Sequence, residues 1–145
     1  MHKLLELYCT VRYLLLIFFI PIIGFSQNNL TIDVEGVASS EGRISVAVYN
    51  TSSGFLKFDA VYRSDSAAAK KKKTNLVIAN LPNGTYALAV FHDKNENDIL
   101  DTNWLGIPKE SIGFSNAKMK TFGPPSFEDC AFKLEGDTQI RLELN

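Results

Sequence analysis

Cysteine is nearly absent from this chain. Of 145 residues only Cys9 and Cys130 carry a thiol, and Cys9 falls in an N-terminal segment expected to be removed. With Cys130 alone the mature chain has no intramolecular disulfide, so apolar burial must hold its fold unaided. Histidine is equally scarce, since beyond His2 there is only His92. One histidine and one cysteine do not make a zinc site without two carboxylates beside them. Positive charge is not in excess, with 15 Lys and Arg against 16 Asp and Glu. That balance argues against a nucleic-acid ligand, which calls for a strongly basic face. No serine sits in the G-x-S-x-G setting of a nucleophile elbow, and no internal repeat is visible.

Long apolar runs are also missing, with one exception. Tyr13 to Phe25 (YLLLIFFIPIIGF) is continuous and follows the positive charges of Lys3 and Arg12. The run is shorter than the ~18–20 residues a helix needs to cross a bilayer, and Pro21 interrupts it. Gly24 and Ser26 are small residues at the −3 and −1 positions of a cut before Gln27, as signal peptidase prefers. Residues 1–26 therefore read as a signal peptide, and 27–145 as a single domain that is secreted or periplasmic. After cleavage it is not expected to be an integral membrane protein. Cys9 precedes the apolar run, so it is not the lipid-bearing cysteine of a lipoprotein.

The rest of the chain has the period-2 pattern of half-buried strands. Leu30, Ile32 and Val34 alternate with polar residues, and Ile44, Val46 and Val48 do so after the Glu41-Gly42 turn. Phe58 to Arg63 is a weaker candidate strand, and Ser64 to Lys73 reads as an exposed loop. Its lysines, Lys70 to Lys73, are expected to be solvated, the sharper alternative being a phosphate or anionic-lipid contact. Leu76 to Ala79 forms a short strand closed by the Leu81-Pro82-Asn83-Gly84 turn. Thr85 to His92 is apolar on both faces, the mark of a central strand. Two last strands follow the alternation of Cys130, Phe132 and Leu134, then of Ile140, Leu142 and Leu144. Cys130 reads as a small buried core residue. Without a convincing helix, the expected fold is all-β: a single β-sandwich of about seven short, mainly antiparallel strands with one long ordered loop.

That loop follows the central strand. Asp93, Asn95, Asn97 and Asp101 fall at positions 1, 3, 5 and 9 of a tight acidic turn, which converges side-chain oxygens as calcium requires. Ile99 would add a backbone carbonyl. Trp104 stands where an EF-type loop carries its bidentate glutamate, so Glu110 is the candidate replacement. The alternative is that these Asp and Asn side chains only close turns onto backbone N–H groups. His92 is a candidate general base with Asp93, or else a residue that ties down the loop. Trp104, Leu105, Ile107, Phe114, Phe122 and Phe127 place large apolar side chains in irregular segments. They are expected to pack beneath the loop as a satellite core. Any left exposed would form a partner surface, for which Trp104 and Phe114 are the candidates.

The segments LPNGTYALAVFHDKNENDILDTNWLGIPKESIGFSN (Leu81 to Asn116) and GPPSFEDCAF (Gly123 to Phe132) resemble the bacterial secreted family known as domain of unknown function 2141. The LPNGTY element is also similar to that of transthyretin-like and carboxypeptidase-regulatory-like sandwiches. These resemblances imply location and fold and carry little chemistry. The chain departs from the family pattern at Asp98, where glycine is common, and at Cys130, where alanine is common. Three functions follow as expectations. The first is a non-enzymatic envelope module whose loop, ordered by calcium, binds a protein or glycan. The second is a hydrolase using His92 with Asp93, and the third a structural envelope protein that binds no ion. The signal-peptide reading makes the most direct prediction: protein recovered from the envelope or medium starts at or next to Gln27. Mass spectrometry finding an intact Met1 on membrane-bound material would reject it.

Overall fold

The computed structural model describes residues 27–145; the expected signal peptide lies outside the described residues. Eight strands run β1 (Gln27–Val37), β2 (Arg43–Tyr49), β3 (Arg63–Ala68), β4 (Lys72–Pro82), β5 (Gly84–Asp93), β6 (Ile112–Phe114), β7 (Phe132–Leu134) and β8 (Thr138–Glu143), with one helical turn, α1 (Phe127–Cys130). They form a three-stranded sheet of order β4-β1-β8 and a five-stranded sheet of order β3-β2-β5-β6, with β7 pairing β5 off that path. All pairings are antiparallel except β1 with β8, which is parallel. The all-β sandwich expected from the alternation is the observed fold, with eight strands rather than seven.

The core lies between the sheets and is built from the alternating residues. Leu30, Ile32 and Val34 of β1 face Ile44, Val46 and Val48 of β2 and Leu88 and Val90 of β5, all at most 2% exposed. Burying each such side chain is worth about 1.5–3 kcal/mol relative to leaving it in water. A second, smaller cluster covers the opposite face of β5, where Ala87, Phe114 and Cys130 are buried and Phe55 and Phe127 pack against them. Edge-to-face contacts from Phe55 to Tyr49 (5.3 Å) and Phe127 (5.8 Å) extend it. β5 is therefore covered on both faces, as its sequence indicates.

Three local expectations are corrected. Phe58 to Arg63 is not a strand: Phe58–Ala60 forms a 3-10 turn and Phe58 is 85% exposed. Ser64 to Lys73 is not a loop, because it supplies β3 and the start of β4. β3 carries the polar sequence RSDSAA yet pairs along its length with β2. An edge strand is stabilised by its backbone ladder and gains solubility from polar side chains, so it shows no apolar alternation. Cys130 does not begin a strand either. It ends α1, whose capping box joins Ser126 to Asp129. Serine followed three residues later by an acidic residue is the signal of a helix start, and the Cys-Phe-Leu alternation masks it. Cys130 is nonetheless a core residue at 0% exposure, and burial pushes its thiol up to about 11.

The outer face of the three-stranded sheet holds one buried charge. Asp33 on β1, 2% exposed, accepts from Lys73 Nζ at 2.7 Å, from Gln139 Nε2 at 3.0 Å and from Asn75 Nδ2. The Lys73 hydrogen bond holds this carboxyl below its ordinary value of 3.8 against the opposing effect of burial. A depressed folded-state pKa adds stability above the unfolded value and loses it as pH falls through the folded one. Replacing Asp33 with Asn should therefore destabilise the protein at neutral pH. The gap to the wild type should close progressively as pH drops below 3.8, as measured by urea unfolding across pH. A gap that does not vary with pH would show that Asp33 contributes no charge-dependent stability.

Candidate functional site

The long loop leaves the end of β5 and returns at β6, and its root is rigid. Asp93 is the last residue of β5, opposite Arg43 in the β2 ladder, and is fully buried. The β1–β2 turn packs directly on it. Gly42 has φ +69, and a Cβ there would lie 2.1 Å from the Asp93 carbonyl oxygen and 2.6 Å from Lys94 Cα. Only glycine fits that conformation at that approach. No signal in the loop itself points to Gly42, which sequence reading places only in a turn.

Within the loop the predicted ligands do come together, but they are turned onto one another and onto the backbone. Asp93 Oδ1 accepts from Asn97 N at 3.2 Å and Oδ2 from Asp98 N at 2.8 Å. Asn97 Oδ1 accepts from Ile99 N at 2.9 Å. Asp101 accepts from the side-chain amides of Asn95 (2.8 Å) and Asn97 (3.3 Å). Glu110 reaches back across the loop, its two oxygens taking Lys94 N and Asp101 N, each at 3.1 Å. Every predicted side-chain ligand is thus a member of one closing network, whereas Ile99 is 62% exposed. Among the described residues, no three His, Cys, Asp or Glu side chains are grouped to hold a metal ion. None of the ion pairs found among the described residues reaches these carboxylates. Asp98, where the resemblance noted from the sequence implies glycine, takes φ +60. Aspartate tolerates that left-handed conformation better than most residues, so the departure leaves the turn intact.

His92 is sealed. It is 0% exposed, its Nε2–H donates to the Glu41 carbonyl at 2.7 Å, and its buried Nδ1 has no hydrogen-bond partner. A general base must reach the proton it abstracts, and neither His92 nor buried Asp93 is open to a substrate. The hydrolase reading built on this pair is removed. The imidazole instead ties the β1–β2 turn to the loop root.

The aromatic expectations divide. Phe114 is a core residue at 6% exposure, packed in the cluster behind β5, so it is not part of a partner surface. Trp104 is 90% exposed, with Leu105 at 60%, Ile107 at 55% and Phe122 at 101%. These four do not form the expected satellite core, because the segments bearing them close on themselves. The tip residues Thr102 and Pro108 form a bridge. Asn103, unremarked in the sequence, organises what lies between them. Its Oδ1 accepts from Leu105 N (2.9 Å) and Ile107 N (3.0 Å), its N–H donates to the Ile107 carbonyl, and its carbonyl accepts from Gly106 N. The signal for this is Asn followed by Gly at +3, an asparagine-capped turn.

A family model described as an uncharacterized protein conserved in bacteria (DUF2141) matches residues 32–141. The chain belongs to that family. The match spans both sheets and the whole loop, so the Asp93–Glu110 network and the Trp104 tip lie inside the DUF2141 domain. No curated protein and no solved structure matches the chain. The network leads to a direct prediction for this DUF2141 protein. Asp93→Ala removes the acceptor of two loop N–H groups in a buried position, a loss of about 1–3 kcal/mol. Hydrogen exchange should accelerate at the amides of Asn97 and Asp98 while that at Leu88 and Val90 changes little or not at all. Unchanged exchange at 97 and 98 would mean that Asp93 does not hold the loop.

Proposed function

We propose that this protein is a non-enzymatic binding module of the cell envelope, secreted or periplasmic, whose loop carries a contact surface of Trp104, Leu105 and Ile107. The observation that carries this reading is the 90% exposure of Trp104 at the tip of a loop whose polar groups are tied to one another. Apolar side chains clustered on a rigid exposed segment mark interaction sites more often than scattered ones do. Tryptophan supplies more contact energy than most residues in such places. A tip already ordered loses little conformational freedom when a partner covers it. The partner, on this reading, is a component of the envelope.

Calcium belongs to the same reading as the ion that orders the loop further. Asp93, Asp101 and Glu110 would supply its charged oxygens, with Asn95, Asn97 and the Ile99 carbonyl completing the shell. Asn95 and Asn97 now point amide nitrogens at Asp101, so both would have to turn an oxygen inward. That cost puts the affinity in the weak, extracellular range of about 10⁻⁴–10⁻³ M.

Trp104 is the only tryptophan in the chain, so its emission reports on the tip alone. An isolated envelope fraction should shift that emission to the blue and sediment the protein, and Trp104→Ala should no longer sediment. No shift and no sedimentation would end the contact-surface reading. Calcium at a hundred times its dissociation constant should stabilise the fold by about 2.7 kcal/mol, an increment absent in Asp101→Ala. A melting curve indifferent to calcium would remove the ion and leave the contact surface standing.

A further inference from the structure

We propose that the end of the sandwich bearing the long loop docks onto an anionic phospholipid surface. Lys70, Lys71 and Lys72 would meet the headgroup phosphates while the Trp104-Leu105-Ile107 tip enters the interface. The inference rests on the reading that this tip is a contact surface, and it names what the tip contacts.

Hydrogen bonds place the two features at the same end of the molecule. Ala69 N donates to the Gly42 carbonyl at 3.0 Å and Lys71 N to Ser40 Oγ at 2.9 Å, joining the β3–β4 hairpin to the β1–β2 turn. His92 Nε2 donates to the Glu41 carbonyl, joining that turn to the root of the long loop. The lysine hairpin is pinned rather than loose. Thr74 is 1% exposed, and its hydroxyl accepts from Lys70 N at 2.9 Å and donates to the Lys70 carbonyl at 3.3 Å. Of the four consecutive lysines, Lys73 is committed to Asp33. The other three are exposed and, among the described residues, make no ion pair. Three neighbouring uncompensated ammonium groups on a fixed hairpin complement a surface of many phosphates rather than a single anion.

The chemistry of the tip favours lipid over glycan. Between Asp101 and Lys109 no residue is charged. The N–H groups of Asn103, Leu105, Gly106 and Ile107 are all satisfied within the tip. Within residues 103–107 only the Trp104 N–H is left without a partner among the described residues, so the tip leaves water at less cost than an open loop would. A sugar site needs free donors and acceptors beside the stacking ring, and Leu105, Gly106 and Ile107 offer no side-chain hydrogen bonds. Tryptophan prefers the bilayer interface, and an apolar insertion combined with a basic cluster is the two-signal arrangement that binds membranes stably. Glu96 and Asp98, exposed at the base of the loop, oppose anionic headgroups, so the lysine contribution is read from variants and not from net charge.

The test uses the secreted chain with phosphatidylcholine vesicles, with and without phosphatidylglycerol. Phosphatidylglycerol vesicles should sediment the protein and shift Trp104 emission to the blue. Raised salt should weaken this, as should joint substitution of Lys70→Gln, Lys71→Gln and Lys72→Gln, by about a hundredfold. Lys118→Gln, paired with Glu143 elsewhere, should bind as the wild type does. Trp104→Ala, followed by sedimentation, should bind more weakly. Absence of sedimentation with phosphatidylglycerol vesicles, or binding indifferent to the three lysines, overturns the proposal. If a soluble envelope glycan or protein shifts Trp104 and vesicles do not, the lipid assignment falls and the contact-surface reading survives. If nothing shifts it, both fall.

Discussion

Strand β5 is covered on both faces. Tyr86, Leu88 and Val90 point into the main core, while Ala87 and its neighbours are covered by Phe114, Cys130 and the α1 turn. Its edges are taken by β2 on one side and by β6 and β7 on the other. A strand so enclosed cannot shift register without moving its entire apolar set to the wrong side. Asp93 and His92, at its end, therefore sit at a fixed point. Everything proposed for the long loop depends on that fixed root, since a side chain placed by a rigid element is held far better than one placed by a loop.

Beyond the root the loop is held by polar closure instead of apolar burial. The carboxylates of Asp93 and Glu110 act as caps for backbone N–H groups, replacing the ladder bonds that a strand would have made, and that of Asp101 takes the side-chain amides of Asn95 and Asn97. This accounts for the long polar segment staying ordered without a core of its own, and for the apolar side chains at its tip facing outward. The residue pattern of a calcium loop and that of a self-capped loop are nearly the same, because both require oxygens that converge inside one turn. Which of the two a sequence encodes depends on where the amide nitrogens point, a rotation about one side-chain bond that composition and spacing do not specify.

His92 shows the same division from another side. A lone histidine beside an aspartate at the end of a strand has the residue types for acid–base chemistry, and only burial decides against it. The Glu41 carbonyl that accepts its Nε2–H comes from a turn 51 residues away, a contact with no trace in local pattern. Lys73 is similar: it is one of four adjacent lysines in the chain, and only the three-stranded sheet brings Asp33, 40 residues distant, within reach of it.

The sequence by itself determined the fold class, the principal strands, the double burial of β5 and the existence of an ordered acidic loop after it. These follow from hydrophobic period and turn chemistry, which act between neighbours along the chain. Tertiary structure decided what those rules do not see. It paired polar β3 with β2, because a backbone ladder is blind to side-chain identity. It buried Phe114 and exposed Trp104, since two aromatic residues whose sequence surroundings read as equally irregular are told apart only by the pairing that places Phe114 in β6 against β5. It also sealed His92 and brought the lysine hairpin to the same end as the loop. Both depend on contacts across the sandwich, where distance in space is set by the sheets and not by separation along the chain.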